Sequence, residues 1–306
     1  MDIQPMTGYK SIIVGLSSDS AHENILDDAV AFAKVMRSDI DTLFVTEMFQ
    51  DPIDYMYSAG PEGIASFSCI QKEENDRIRK DIQDAITKSG EKYGITGNLM
   101  ETEGDPAQVI VDHSQNYGLV MIGSEMGGKE HRRRLGPMAR NVVRFAESPV
   151  MVLRELQDEK RLKDMKNILV PVDGSNVSNF AAAHASFIAG KVGGKITLLH
   201  VWEKKNDKLL KRVEHGNYDL EAIKKNIAGQ VLDTAESTML GDAPIERKVI
   251  SGDPEEIIAN ESKDHDLTVI GTWGRGGIKK FLIGSTAENV AQHAESPVLL
   301  IRGIPE

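Results

Sequence analysis

Gly271, Gly274 and Gly284, followed by Ser285 and Thr286, are the residues whose types and spacing could do chemistry in this chain. They lie in DLTVIGTWGRGGIKKFLIGSTAENVAQHAESPVLLIR, Asp266 to Arg302, which reads as strand, glycine-rich loop, helix and strand. Leu267, Val269 and Ile270 form a short apolar run that Gly271 ends, the pattern of a buried strand. From Gly284 onward, Ala287, Val290 and Ala291 recur at helical spacing. Glycine in such a loop permits positive φ at some positions and close backbone approach to a ligand at others. A helix N-terminus beside the loop adds free N–H groups and partial positive charge, a combination suited to phosphate. The same residues also allow a plain glycine-rich turn in which Ser285 is an ordinary N-cap.

Gly271, Gly274, Gly284 and Ser285 fit G-x2-G-x9-G-[ST] after a strand and before a helix, and in this the chain resembles the universal stress protein family. The resemblance implies α/β domains of the doubly wound, Rossmann-like, adenine nucleotide alpha hydrolase-like type. Each would be a five-stranded parallel sheet of order 3-2-1-4-5 with helices on both faces. It also implies an ATP site in the second half of the chain. There Asp173 and the backbone of Val201 recognise adenosine, while Pro171, Val172 and Ile270 line its pocket and Gly271 lies close to the ribose. Gly274, Gly284, Ser285 and Thr286 hold the phosphates. Mg²⁺ is expected with the triphosphate, because few fixed cations are visible to neutralise it; Arg275, Lys279 and Lys280 stand in the loop. Without the resemblance, the residues describe either an anion loop facing a strand-end carboxylate or a carboxylate capping the next helix.

The elements that must position this site come from an internal repeat. SIIVGLSSDS from Ser11 matches NILVPVDGSN from Asn167, and TLFV from Thr42 matches LLHV from Leu198, both at an offset of 156. Later EGDPAQVI from Glu103 matches SGDPEEII from Ser251, and ESPVMVLR from Glu147 matches ESPVLLIR from Glu295, at an offset of 148. The first half therefore carries extra residues between its second and third strands. Each half reads as five short strands alternating with four helical segments, which predicts a parallel sheet covered on both faces. In the second half the strands begin near Asn167, Lys195, Ile245, Leu267 and Pro297, with helices over Asn179–Ala189, Asp219–Leu240 and Glu255–Ser262. The expected domains are residues 1–155 and 166–306, joined by a charged linker over 156–165 whose sign-mixed face is read as solvated. Gln50 to Phe67, with two prolines, two glycines, Tyr55 and Tyr57, is expected to be a loop ahead of a polar helix over Glu73–Ser89.

The first half has lost the pattern. It keeps Gly123 and Gly136 but places Met126, Pro137 and Ser17 where the second half has Gly274, Ser285 and Asp173. Pro137 removes both a hydroxyl and an N–H from the helix start, so this half is expected to bind ATP poorly or not at all. GSEMGGKE from Gly123 approaches a P-loop, but Glu130 stands where a hydroxyl should ligate Mg²⁺. The basic run Lys129 to Arg134 could hold a phosphate or an acidic partner, with a solvated loop the favoured reading.

For a chain of 306 residues, a net charge of -11 argues against general affinity for nucleic acid or anionic membrane, either of which needs a basic face. Its one cysteine, Cys69, allows no internal disulfide, and no targeting or membrane-spanning run is visible, so a cytoplasmic protein is expected. The apolar fifth strands, Pro149–Arg154 and Pro297–Arg302, would be exposed if unpaired, so an internal pseudo-dimer of the halves is expected, with further homodimerisation open. Function divides three ways: an ATP-binding stress-response regulator with an unidentified protein partner; a weak ATPase or an enzyme phosphorylating itself on Ser285 or Thr286; or a scaffold with a vestigial pocket. A binding loop without an evident base or nucleophile favours the first.

Overall fold

The computed structural model describes residues 8–17, 22–46, 53–124, 135–154, 162, 165–203, 219–273 and 283–303, with backbone alone for 22, 53–68, 71 and 220. The first half runs β1 (Ser11–Ser17), α1 (His22–Met36), β2 (Asp39–Thr46), α2 (Ile53–Tyr93), β3 (Asn98–Glu103), α3 (Pro106–Ser114), β4 (Leu119–Gly123), α4 (Pro137–Phe145) and β5 (Val150–Leu153). The second runs β6 (Asn167–Pro171), α5 (Asn176–Val192), β7 (Lys195–Trp202), α6 (Leu220–Ser237), β8 (Ile245–Ser251), α7 (Pro254–Glu261), β9 (Leu267–Gly271), α8 (Ser285–His293) and β10 (Val298–Ile301).

Local chemistry accounts for the boundaries. Asp105 and Asp253 accept hydrogen bonds from the first-turn N–H groups of α3 and α7, and a proline opens each helix, where its missing donor costs nothing. Ser175 caps α5, which ends at Gly193 in the left-handed region (φ 63°) that glycine tolerates. The central strands are apolar on both faces because helices cover both. The outermost strands β3 and β8 instead expose part of each face.

The ten strands form one sheet in the order β3-β2-β1-β4-β5-β10-β9-β6-β7-β8. Pairing is parallel within each half, and each half reads 3-2-1-4-5 in its own count. The halves meet where β5 and β10 pair antiparallel, Val298 opposite Val152 and Leu300 opposite Val150. Each fifth strand thus covers the other's edge, and the internal pseudo-dimer is built from backbone hydrogen bonds. Two arginines seal this seam. Arg154 donates to the carbonyl of Ala291 in α8, and Arg302 to those of Val143 and Arg144 in α4, each capping the C-terminal carbonyls of the opposite half's helix. Burial lowers both guanidinium pKa values to about 10, so both remain charged at neutral pH.

One core, holding Phe32, Ile82, Ile188 and Leu232, lies under α1, α2, α5 and α6. The other, holding Ile110, Val142, Ile258 and Val290, lies under α3, α4, α7 and α8. Across the seam, the Tyr9 hydroxyl meets His184 Nδ1 at 2.7 Å, and the His184 ring stacks edge-on to Phe180. Burial pushes the His184 pKa from 6.5 down to about 4. The unfolded chain therefore binds a proton between pH 6.5 and 4 that the folded chain refuses, and stability falls as pH falls through that window. The shift corresponds to about 3 kcal/mol lost by pH 4. Urea denaturation across this range should give a shallower stability–pH slope for His184→Leu than for the parent chain.

Two expectations differ from the structure. The segment Gln50–Phe67 is not a loop from Ile53 onward, because α2 is one helix of 41 residues. Each residue added to the helix gains a backbone hydrogen bond, and over this length those bonds offset the entropy cost of Gly60 and Gly63 and the donor and steric fit lost at Pro61. The side chains of Tyr55 and Tyr57 lie outside the description. The linker is not wholly solvated either: Leu162 is buried, and its N–H donates to the Asp28 carboxylate at 3.2 Å. Most of that linker, the basic run Lys129–Arg134, and Met126, Gly274, Arg275, Lys279 and Lys280 lie outside the described residues. Among the described residues no helix is long and apolar enough to cross a membrane.

Candidate functional site

Beyond the C-terminal ends of β6 and β9, where the strand order reverses in the second half, the chain leaves a cleft of about 630 Å³ including its open mouth. The location is the expected one for a ligand cleft in a doubly wound sheet.

The cleft is assembled from strand ends and helix starts. β6 delivers Pro171 and then Val172, whose N–H donates to Leu199 O at 2.8 Å and whose carbonyl meets His200 Nδ1 at 2.8 Å. His200 is therefore a buried tie between strands. Asp173 follows at the turn, where its carboxylate accepts from Ser175 N at 3.0 Å, and Ser175 Oγ in turn accepts from Ser178 N at 3.2 Å. The carboxylate thus does hold the turn into α5, and it also lines the cleft.

On the opposite wall β9 ends at Gly271. A Cβ there would sit 2.9 Å from Val177 Cγ1, 3.0 Å from the Val177 carbonyl carbon and 3.1 Å from Ser178 N. Glycine is required at this position so that α5 can reach the strand end. Gly284 N donates to Thr272 O at 2.6 Å, which closes the neck of the loop, and α8 begins one residue later. No side chain caps α8, whereas α3, α5, α6 and α7 each have an Asp or Ser in that role. Among the described residues no side chain accepts from its first-turn N–H groups.

Of the residues singled out from the sequence, Pro171, Val172, Asp173, Val201, Ile270, Gly271, Gly284 and Thr286 all line this cleft. Ser285 is exposed at the first position of α8 and is not among the lining residues. The structure adds Ser175, Ser178, Glu203, Ile258, Thr272 and Trp273 to the walls. Ser175 and Ser178 were legible only as helix-capping residues. Trp273 occupies a variable position inside the glycine pattern and packs toward Gly303, where an added Cβ would lie 3.0 Å from its ring. The only charged side chains among the described lining residues are Asp173 and Glu203.

At the equivalent place the described first-half residues are packed more closely. Gly15 stands where Pro171 does, and Ile110, fully buried, packs so closely that a Cβ on Gly15 would lie 2.5 Å from its Cδ1. Pro106, Val45 and Leu135 are buried, while their counterparts Pro254, Val201 and Ile283 are partly exposed. Gly136, also without a side-chain cap, precedes Pro137, which has no N–H to offer. Gly123 survives for a packing reason, since a Cβ there would meet Ile25 of α1.

This geometry defines a tandem doubly wound α/β protein with an open cleft at the strand ends of its second half. The model of the Universal stress protein family matches residues 8–154 and again 165–302, and the chain belongs to that family. A universal stress protein of Mycolicibacterium smegmatis is 26% identical over 306 residues, spanning 98% of this chain and 99% of the relative. One from Mycobacterium tuberculosis strain H37Rv is 28% identical over 239 residues, spanning 75% and 78% of the two chains. In fold, the chain is similar to the crystal structure of a universal stress protein from Archaeoglobus fulgidus, with a TM-score of 0.65 and 20% identity over 96% of this chain and 98% of that one.

Proposed function

We propose that the second half binds ATP, with Mg²⁺, and that occupancy serves regulation in a stress response. The observation that carries this reading is the convergence of Pro171, Val172, Asp173, Val201, Ile270, Gly271, Gly284 and Thr286 on one open cleft, while the first-half positions Pro106, Val45 and Leu135 are more buried than their second-half counterparts. Val172, Val201 and Ile270 offer apolar contact for a purine, and Asp173 accepts hydrogen bonds from its neutral adenosine part. The uncapped start of α8 and the hydroxyl of Thr286 donate to phosphate.

Two carboxylates in the cleft oppose a bare triphosphate, so a divalent cation fits the charge balance. Among the described residues no group of three or more His, Cys, Asp or Glu could hold a metal ion. Mg²⁺ would therefore be carried largely by phosphate oxygens and water. No imidazole or amine lines the cleft among the described residues, and we assign binding rather than rapid turnover to it.

Calorimetric titration of Mg-ATP into the full chain should give about one site per chain, since the first half lacks the glycine pattern and opens α4 with Pro137. Two sites would contradict the reading of the first half as degenerate, and no binding would replace this reading with a scaffold whose pocket is vestigial.

A further inference from the structure

The helix that starts at the cleft is held from its side by the other half of the chain. Glu288 lies four residues after Gly284, the N-cap of α8. It therefore shares that residue's helical face and sits about one turn, ~5 Å, along the axis from the helix start. Its Oε1 accepts from Arg144 Nε at 3.0 Å and also from Arg144 Nη2. Arg144 stands in the last turn of α4, across the β5–β10 seam. The contact is made once. At the repeat offset the counterparts of Arg144 and Glu288 are Gln292 and Arg140, and Arg140 turns instead to the carbonyl of Leu135.

A carboxylate in the first turn favours the helix dipole, but it repels any anion held at the same helix start. Arg144 cancels that repulsion without entering the cleft. We propose that Arg144, supplied by the first half, sets the affinity of the second-half cleft for phosphorylated ligands by neutralising Glu288, in proportion to the ligand's charge. This rests on the reading of the cleft as an adenine nucleotide site. Arg144 is a positioning residue, since it acts through Glu288 and touches no ligand. The first half thereby contributes an electrostatic part to the second half's site. Both side chains are partly exposed, 42% for Arg144 and 26% for Glu288, so the effect is screened by salt.

The test is calorimetric titration of ATP, AMP and adenosine into the full chain and its Arg144→Gln, Glu288→Gln and double variants, at low and high salt. Arg144→Gln should weaken ATP by about threefold to tenfold at low ionic strength, AMP by less, and adenosine by under about twofold. High salt should shrink the difference. Glu288→Gln should keep or raise ATP affinity, and the double variant should follow Glu288→Gln. Equal loss for ATP and adenosine would make Arg144 merely structural and overturn the proposal, as would a double variant as weak as Arg144→Gln. If Arg144→Gln does not fold, Glu288→Gln decides alone, and weaker ATP binding by it sinks the idea. A parent chain that binds none of the three ligands overturns the nucleotide reading together with this one. A parent that binds all three, with variants insensitive to phosphate, overturns this one only.

Discussion

Gly284→Asp should abolish nucleotide binding while leaving the fold intact. Gly284 is the N-cap of α8, with φ -69° and ψ 151°, angles open to any residue. An added Cβ would lie 3.3 Å from Thr272 O and 3.6 Å from Trp273 Cα, which a shift of a few tenths of an ångström relieves. Aspartate is among the best N-caps, so its carboxylate would take the first-turn N–H groups that no side chain now occupies. It would then hold a negative charge where phosphate is proposed to sit. At about 4 Å and an effective dielectric constant of about 20, each pair of like unit charges costs about 4 kcal/mol, enough for more than a hundredfold loss of ATP affinity. Thermal denaturation should show a midpoint equal to or above that of the parent. Affinity within threefold of the parent would remove α8 from the phosphate site.

Gly271→Ala and Gly123→Ala occupy the same place in the repeat and should differ in cost. At Gly271 the new Cβ meets backbone, the Val177 carbonyl carbon at 3.0 Å and Ser178 N at 3.1 Å, as well as Val177 Cγ1. Backbone cannot turn away, so the start of α5 must shift as a unit. We expect a loss of about 2–3 kcal/mol, at the upper end for overpacking. Because that helix start carries Ser178 in the cleft and Ser175 just before it, ligand affinity should fall as well. At Gly123 the clash is with Ile25 Cδ1 at 2.5 Å, the far end of a flexible side chain, which a rotamer change relieves at about 1 kcal/mol. Urea denaturation of the two variants gives the comparison directly. Equal costs would mean that α5 yields as easily as one isoleucine side chain.

Much of the architecture was legible before any coordinates because it depends on local chemistry. The paired motifs EGDP and SGDP each contain an aspartate cap followed by proline, and both become helix starts at Asp105 and Asp253. Apolar, β-branched runs such as Leu267–Ile270 are too short for a helix and read as strands buried on both faces. Of the ten residues named for the site, eight line the cleft, Ser285 does not, and Gly274 lies outside the described residues. Composition could not reveal that α2 continues through Gly60 and Pro61, because helix extension depends on cooperativity along the whole segment.

What the sequence by itself determined was a duplicated α/β chain with one intact and one degraded glycine loop, because repeat matches, caps and strand runs are written in neighbouring residues. Only the tertiary structure decided that Ile110 packs against Gly15, that β5 and β10 join the halves into one sheet, and that Arg144 reaches Glu288 across that seam. These are contacts between residues far apart in the chain, and their existence depends on packing distances that no local pattern encodes.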